Sequence, residues 1–267
     1  MRTRKTVPED IPALREIWAE AFGDPQAEID RFFEKIYPQA LGFCAEKDGR
    51  AVSMLFALPQ TIVKGEKQIK SAYLYAVATK QEYRGRGFCR AVMAYAEKEL
   101  RKRYFEAAML CPASQKLADF YASQGYTRQG GVRRALRRCE KTSGQATAIG
   151  IQDYAGLRET ILWDTPHVRY DKTQLEYALS GGQCYCLMEG YNMGCAMAQT
   201  REDGTVLVRE MLPSADCLPA LAEKLGTVGY ELELALGETG GETWSMLKWL
   251  DKAYMEFEPV YMGFAFE

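Results

Sequence analysis

One histidine in 267 residues excludes most histidine-based chemistry from the outset. A serine or cysteine hydrolase would have to recruit His167 itself. That residue follows Asp164-Thr165-Pro166 in what reads as a loop after a helix, and it is expected at the surface. The eight cysteines include no CxxC pair, and only Cys184 and Cys186 lie close together. A zinc centre or a disulfide framework is therefore not expected; the thiols should be reduced and mostly buried, with no metal. No apolar run approaches the ~18–20 residues that span a bilayer. The basic start, Arg2-Thr3-Arg4-Lys5, has no apolar stretch behind it, so it does not read as a signal peptide. A net charge of -2 gives no general attraction for nucleic acid or an anionic membrane. The composition points to a cytoplasmic globular protein with neither as a partner.

The length suits two domains of about 100–150 residues each. Residues 140–145, Glu-Lys-Thr-Ser-Gly-Gln, form the expected linker, which sets the domains at 1–142 and 143–267. Before it, a short strand at 2–7 leads into two amphipathic helices with Leu14, Ile17, Trp18 and then Ile29, Phe32, Phe33 inward. Strands at 41–46, 51–63 and 68–79 are separated by the turns Lys47-Asp48-Gly49 and Lys64-Gly65-Glu66. A helix over 87–103, a strand over 105–111, a helix to 124 and a strand to 139 complete a mixed α/β order. Beyond the linker a similar order recurs in weaker form, with a helix near 242–252 and a closing strand at 258–266. The basic residues Arg128, Arg133, Arg134, Arg137 and Arg138 read as a solvated strand edge that discourages pairing. Trp163, Trp244 and Trp249 read as core.

The chemistry concentrates in Val77-Ala78-Thr79-Lys80-Gln81-Glu82-Tyr83-Arg84-Gly85-Arg86-Gly87-Phe88-Cys89, a strand, a short glycine-bearing loop and the start of a long helix. Glycine lets loop amides turn inward and a ligand approach the backbone closely. The helix start adds unpaired N–H donors and partial positive charge. Together they form an anion cradle suited to a pyrophosphate, with Arg84 and Arg86 adding charge. The plainer reading is a solvated turn, and the motif alone is weak. Its place between a strand and an amphipathic helix gives it weight.

At these residues the chain resembles the GNAT superfamily of acyl-CoA N-acyltransferases, whose [Q/R]-x-x-G-x-[G/A] loop it matches with Arg84-Gly85-Arg86-Gly87-Phe88-Cys89. Cys89 stands where that family has Gly or Ala. A second matching run is Ser114-Gln115-Lys116-Leu117-Ala118-Asp119-Phe120-Tyr121-Ala122-Ser123-Gln124-Gly125-Tyr126, with Ser114 in place of the usual asparagine. The resemblance implies a complete GNAT domain over the first half and acetyl-CoA as co-substrate. It implies that Arg84, Gly85, Arg86, Gly87, Phe88 and Cys89 hold the pyrophosphate and that Val77 and Thr79 offer backbone bonds to pantetheine. By the same resemblance Ser114 lies near the pantetheine arm, and Tyr121 supplies the proton to the departing thiolate. The acceptor it implies is a small-molecule or peptide amine, acylated directly in a ternary complex.

The base that takes the amine proton is not legible; Glu46, Glu82 and the carboxylate at Glu267 are formal candidates. The second half resembles a degenerate GNAT domain, so the arrangement is similar to tandem GNAT proteins of the enhanced-intracellular-survival type. Its equivalent junction, Met211-Leu212-Pro213-Ser214-Ala215-Asp216-Cys217-Leu218-Pro219, has no glycine or arginine and two prolines without N–H donors. No second coenzyme site is expected there. Two other classes compete with the enzyme: a non-catalytic acyl-CoA-binding sensor, and a nucleotide-binding module for some other pyrophosphate.

Overall fold

A computed structural model describes residues 1–138, 144–201, 204–225, 229–234 and 242–266. The fold is α/β with mixed parallel and antiparallel pairing, and the chain divides into two compact units.

The first unit comprises Met1–Thr61, Ile69–Leu110 and Lys248–Met255. Its elements are β1 (Arg2–Lys5), α1 (Ile11–Phe22), α2 (Gln26–Lys35), β2 (Leu41–Lys47), β3 (Arg50–Lys64), β4 (Lys67–Thr79), α3 (Phe88–Arg101) and β5 (Ala107–Leu110). The strands are ordered β1-β2-β3-β4-β5. β1 and β2 pair antiparallel, as do β2 and β3, whereas β4 and β5 run parallel. Pro12 suits the first turn of α1, and Gly23 ends it in the left-handed region (φ 71°), returning its N–H to the Ala19 carbonyl at 3.0 Å. Trp18 on α1 packs on Phe32 of α2 (ring centroids 4.6 Å apart) and on Tyr75 of β4 (5.6 Å). At the other end Arg4 donates to Asp10 at 2.6 and 2.9 Å and to Glu46 at 2.6 Å, tying β1 to β2 and to the entry of α1.

The second unit comprises Ile62–Gln68, Cys111–Leu247 and Glu256–Glu267. Its elements begin with α4 (Gln115–Ala122), β6 (Thr127–Arg138), β7 (Gln145–Ile149), α5 (Ile151–Ile161), β8 (His167–Arg169) and α6 (Lys172–Leu179). They continue with β9 (Gln183–Glu189), β10 (Asn192–Thr200), β11 (Val206–Leu212), α7 (Leu218–Leu225), β12 (Gly229–Leu234) and β13 (Glu242–Trp249). The order here is β13-β6-β12-β11-β10-β9-β7, with β11/β12 parallel and β10/β11 antiparallel. Tyr185, Leu187, Ala196, Ala198, Val206 and Val208 form an apolar layer with Leu221 and Ala222 of α7. Tyr154 and Arg158 of α5 are buried, and Arg158 donates to Glu210 of β11.

Several expectations change. His167 is buried at 1% exposure, not at the surface: Nδ1 lies 2.7 Å from the Thr165 carbonyl and Nε2 3.1 Å from Glu159 Oε1. Trp163 is 52% exposed, whereas Trp244 is core and Trp249 is half-buried. Residues 242–249 form β13 rather than a helix, and among the described residues 258–266 form no strand ladder beyond the single bridge of Tyr261 to His167. β6 is not an edge: Thr127–Val132 pair with β13 and Arg133–Arg138 with β12. Residues 140–143 of the expected linker, with the boundary at 142/143, Cys139 and Glu267, lie outside the described residues. The described cysteines are free thiols; Cys44, Cys184, Cys195 and Cys217 are buried. Among the described residues no helix is long and apolar enough to cross a membrane, and no cluster of three or more His, Cys, Asp or Glu could hold a metal.

Candidate functional site

Val77, Thr79 and the run Arg84–Cys89 form one continuous strand-loop-helix in the first unit. The strand is not regular. Its pairing with β5 covers only Ser71–Tyr73, and three residues later Ala76 sits in the left-handed region at φ 49°. A non-glycine residue there is strained by about 1–3 kcal/mol, and such strain clusters at ligand sites. The kink falls directly before Val77, which is partly exposed. Thr79 is buried, and its Oγ lies 2.8 Å from Ser53 Oγ of β3; Ser53 also donates to the Ala78 carbonyl at 2.9 Å. The last turn of β4 is thus fixed on one side by β3.

The loop is fixed at both ends and open in the middle. α1 holds its start: Glu16 accepts from Lys80 at 2.9 Å, and Glu20 accepts from the Gln81 N–H. Arg84 Nε donates back to the Thr79 carbonyl at 3.0 Å. Arg84, Gly85, Arg86 and Gly87 are exposed, and neither arginine is in an ion pair among the described residues. Gly85 and Gly87 take φ values of 73° and 84°, conformations that favour glycine, and a Cβ on either would meet nothing within 4 Å. Gly87 caps α3, whose first internal bond runs from the Ala91 N–H to the Gly87 carbonyl at 3.0 Å. The amides of Phe88, Cys89 and Arg90 are therefore the open donors of a helix start. Phe88 is buried against the Tyr83 ring at 5.5 Å, which anchors the helix start from below. Cys89 is half-buried, and burial pushes its thiol up to about 11, so it is a neutral thiol at pH 7. The arrangement leaves room for a ligand against open backbone donors, which are able to hold an anion.

Ser114 and Tyr121 belong to the second unit. Ser114 caps α4, its Oγ accepting from the Leu117 N–H at 3.3 Å. Tyr121 is 5% exposed and packs edge-on to Phe120 and Tyr126 at 5.4 and 6.1 Å. Of the candidate bases, Glu46 is committed to Arg4 and Arg2, Glu82 is exposed beside the loop, and Glu267 lies outside the described residues. Two features had no sequence signal. The kink at Ala76 is one, since alanine does not mark positive φ. The other is the set of partners of the inward Trp18, whose Nε1–H donates to Asp24 at 2.7 Å while Phe22 and Tyr75 pack on the indole.

The acetyltransferase (GNAT) domain family matches residues 2–128. Among solved structures the chain is similar to a probable N-acyltransferase from Enterococcus faecalis V583, with 18% identity, 94% of this chain and 73% of that one covered, and TM-score 0.74. It is similar to a GCN5-related N-acetyltransferase from Anabaena variabilis ATCC 29413 (15% identity, 94% and 73% covered, TM-score 0.73). It is also similar to Eis1 from Mycobacterium abscessus (13% identity, 94% and 74% covered, TM-score 0.65). At these identities the likeness is one of fold. No curated protein matches.

Proposed function

We propose, from the premise that residues 2–128 of this chain belong to the GNAT acetyltransferase family, that the protein moves an acetyl group from acetyl-CoA to a primary amine. The observation that carries the reading is the loop Arg84–Cys89: two positive-φ glycines with open space above them, leading into the open amides of α3. That arrangement fits a pyrophosphate, bound through backbone donors with Arg84 and Arg86 flanking it. When bound, acetyl-CoA supplies an acyl group activated as a thioester. The backbone of Val77 and Thr79, beside the kink at Ala76, is the proposed contact for the pantetheine arm. Ser114 is the proposed further contact, in addition to its capping bond. Donors fixed in advance on that strand suit the charge that develops on the acyl oxygen. Tyr121 is the proposed acid, holding its phenolic proton for the sulfur leaving group.

Direct transfer in a ternary complex suits the neutral thiol of Cys89, which is a poor acyl carrier at pH 7. The tandem reading is supported by the repeated strand order and by a parallel pair in each unit; the proposed second unit binds no coenzyme, because Pro213 and Pro219 remove donors at its equivalent junction. A panel of primary amines with acetyl-CoA, read by release of free coenzyme thiol, tests the enzyme directly. Amine-dependent thiol release is the expected result. Tight acetyl-CoA binding with no turnover on any amine would replace the enzyme by the acyl-CoA sensor.

A further inference from the structure

The second unit contains a buried polar cluster that acyl transfer does not use. Glu210 of β11, 1% exposed, accepts from Arg158 Nε at 2.9 Å, from the Tyr154 hydroxyl and from the Tyr261 hydroxyl at 2.8 Å. Arg158 Nη1 donates to the Val168 carbonyl at 2.8 Å, and the guanidinium carbon lies 5.3 Å from the Tyr170 ring centroid. Burial, with Glu210 alongside, holds the Tyr154 and Tyr261 phenols well above their ordinary range, so both act as donors.

The segment that reaches this cluster is bonded largely through side chains of other elements. Residues Val260–Phe264 form no ladder, yet Val260, Met262 and Phe264 are each 1% exposed. Buried backbone groups must still be paired, and side chains of other elements do most of it. Gln129 Oε1 accepts from the Val260 N–H at 2.9 Å. The Tyr170 hydroxyl lies 2.6 Å from the Met262 carbonyl and 2.9 Å from that of Phe264. Trp244 Nε1 donates to the Gly263 carbonyl at 2.7 Å. Tyr261 uses backbone partners, donating to the Pro166 carbonyl at 2.8 Å and accepting from the Val168 N–H at 2.9 Å. Selection by side chain is equally specific. The Tyr261 hydroxyl meets a carboxylate, the Phe264 ring stacks on Tyr170 at 4.4 Å, and Gly263 takes φ 83° where a Cβ would stand 2.5 Å from Glu210 Oε1. Backbone bonds for affinity and side-chain pockets for specificity are how domains read extended peptides.

We propose that the second unit contains a binding seat for a Tyr-x-Gly-Phe peptide with a left-handed glycine, filled here by the chain's own Tyr261–Phe264 and locked by Glu210. The segment is then a seated ligand rather than an integral strand, and it can be unseated and replaced.

Two probes report the seat in the full chain. Cys111 Sγ lies 3.6 Å from Met262 Sδ, so its alkylation, followed by mass spectrometry, reads whether the segment is down. Trp244 fluorescence reads the bond to Gly263. Gly263→Ala is expected to raise the Cys111 alkylation rate at least tenfold and to alter Trp244 emission. A synthetic peptide of the sequence PVYMGFAF, added to that variant, is expected to restore protection, while the same peptide with alanine for glycine is not. Should Gly263→Ala not fold, Tyr261→Phe, which removes a single hydroxyl, takes its place, and the same peptide comparison decides. Unchanged Cys111 protection in the folded variant, or equal protection by both peptides, would overturn the seat.

Discussion

Gly87 offers the sharpest perturbation of the proposed coenzyme cradle, because its effect on folding can be separated from its effect on binding. In Gly87→Ala the new Cβ meets no protein atom within 4 Å, so the folding cost is that of holding alanine at φ 84°. That cost is roughly 1–2 kcal/mol, or about 2–8 °C in Tm for a chain of this size. Gly49, in the β2–β3 turn, is a matched control, since it has φ 80° and equally open surroundings. Gly49→Ala should lose the same stability. Only at Gly87 does the added methyl stand where a pyrophosphate would approach the backbone. Displacing one or two charge-assisted hydrogen bonds at ~1.5–3 kcal/mol each should weaken acetyl-CoA binding by about one to two orders of magnitude or more. Isothermal titration of wild type, Gly49→Ala and Gly87→Ala measures this. If Gly87→Ala binds acetyl-CoA as tightly as Gly49→Ala, the cradle assignment is wrong.

Three further outcomes are expected. Tyr121→Phe should lower kcat far more than it raises the KM for either substrate, and equal losses in both would make Tyr121 a packing residue. Asp10→Asn should lower Tm at neutral pH by an amount corresponding to ~1.5–3 kcal/mol. The hydrogen bonds from Arg4 hold the Asp10 carboxyl below its ordinary range against the opposing effect of burial. Its stabilisation is therefore present above about pH 4 and lost as pH falls through the lowered value, so the two melting curves should converge in acid; a constant gap would refute the assignment. Cys89 should resist iodoacetamide at pH 7 and gain reactivity only as pH approaches about 11, and rapid labelling at neutral pH would contradict its burial.

Much of the first unit was legible because its elements carry unambiguous periods. The inward residues of α1 recur at helical spacing, and the strand turns are marked by Asp48-Gly49 and Gly65. The loop Arg84–Cys89 was legible for the same reason: glycines at 85 and 87 have little use beyond positive φ and close approach. What failed was set by tertiary context. In Thr243-Trp244-Ser245-Met246-Leu247 the apolar positions fit a helix and a strand equally well. Antiparallel pairing with Thr127–Val132 of β6 decides for β13. Residues 258–266 alternate like a strand, but Gly263 at φ 83° and the side-chain partners of its carbonyls replace the ladder. His167 looked exposed because it follows a proline in a polar run, yet Glu159 and the Thr165 carbonyl receive it in the interior. The arginines of β6 suggested an edge, and their own backbone pairing with β12 removed it.

The central claim is that the loop before α3 holds an acyl-coenzyme A. A thermal melt with and without excess acetyl-CoA, and with ADP as control, tests it most directly. Ligand at ~100 times its Kd adds about 2.7 kcal/mol, worth roughly 5–10 °C here. The account predicts that shift with acetyl-CoA and little with ADP; no shift at millimolar acetyl-CoA would contradict it.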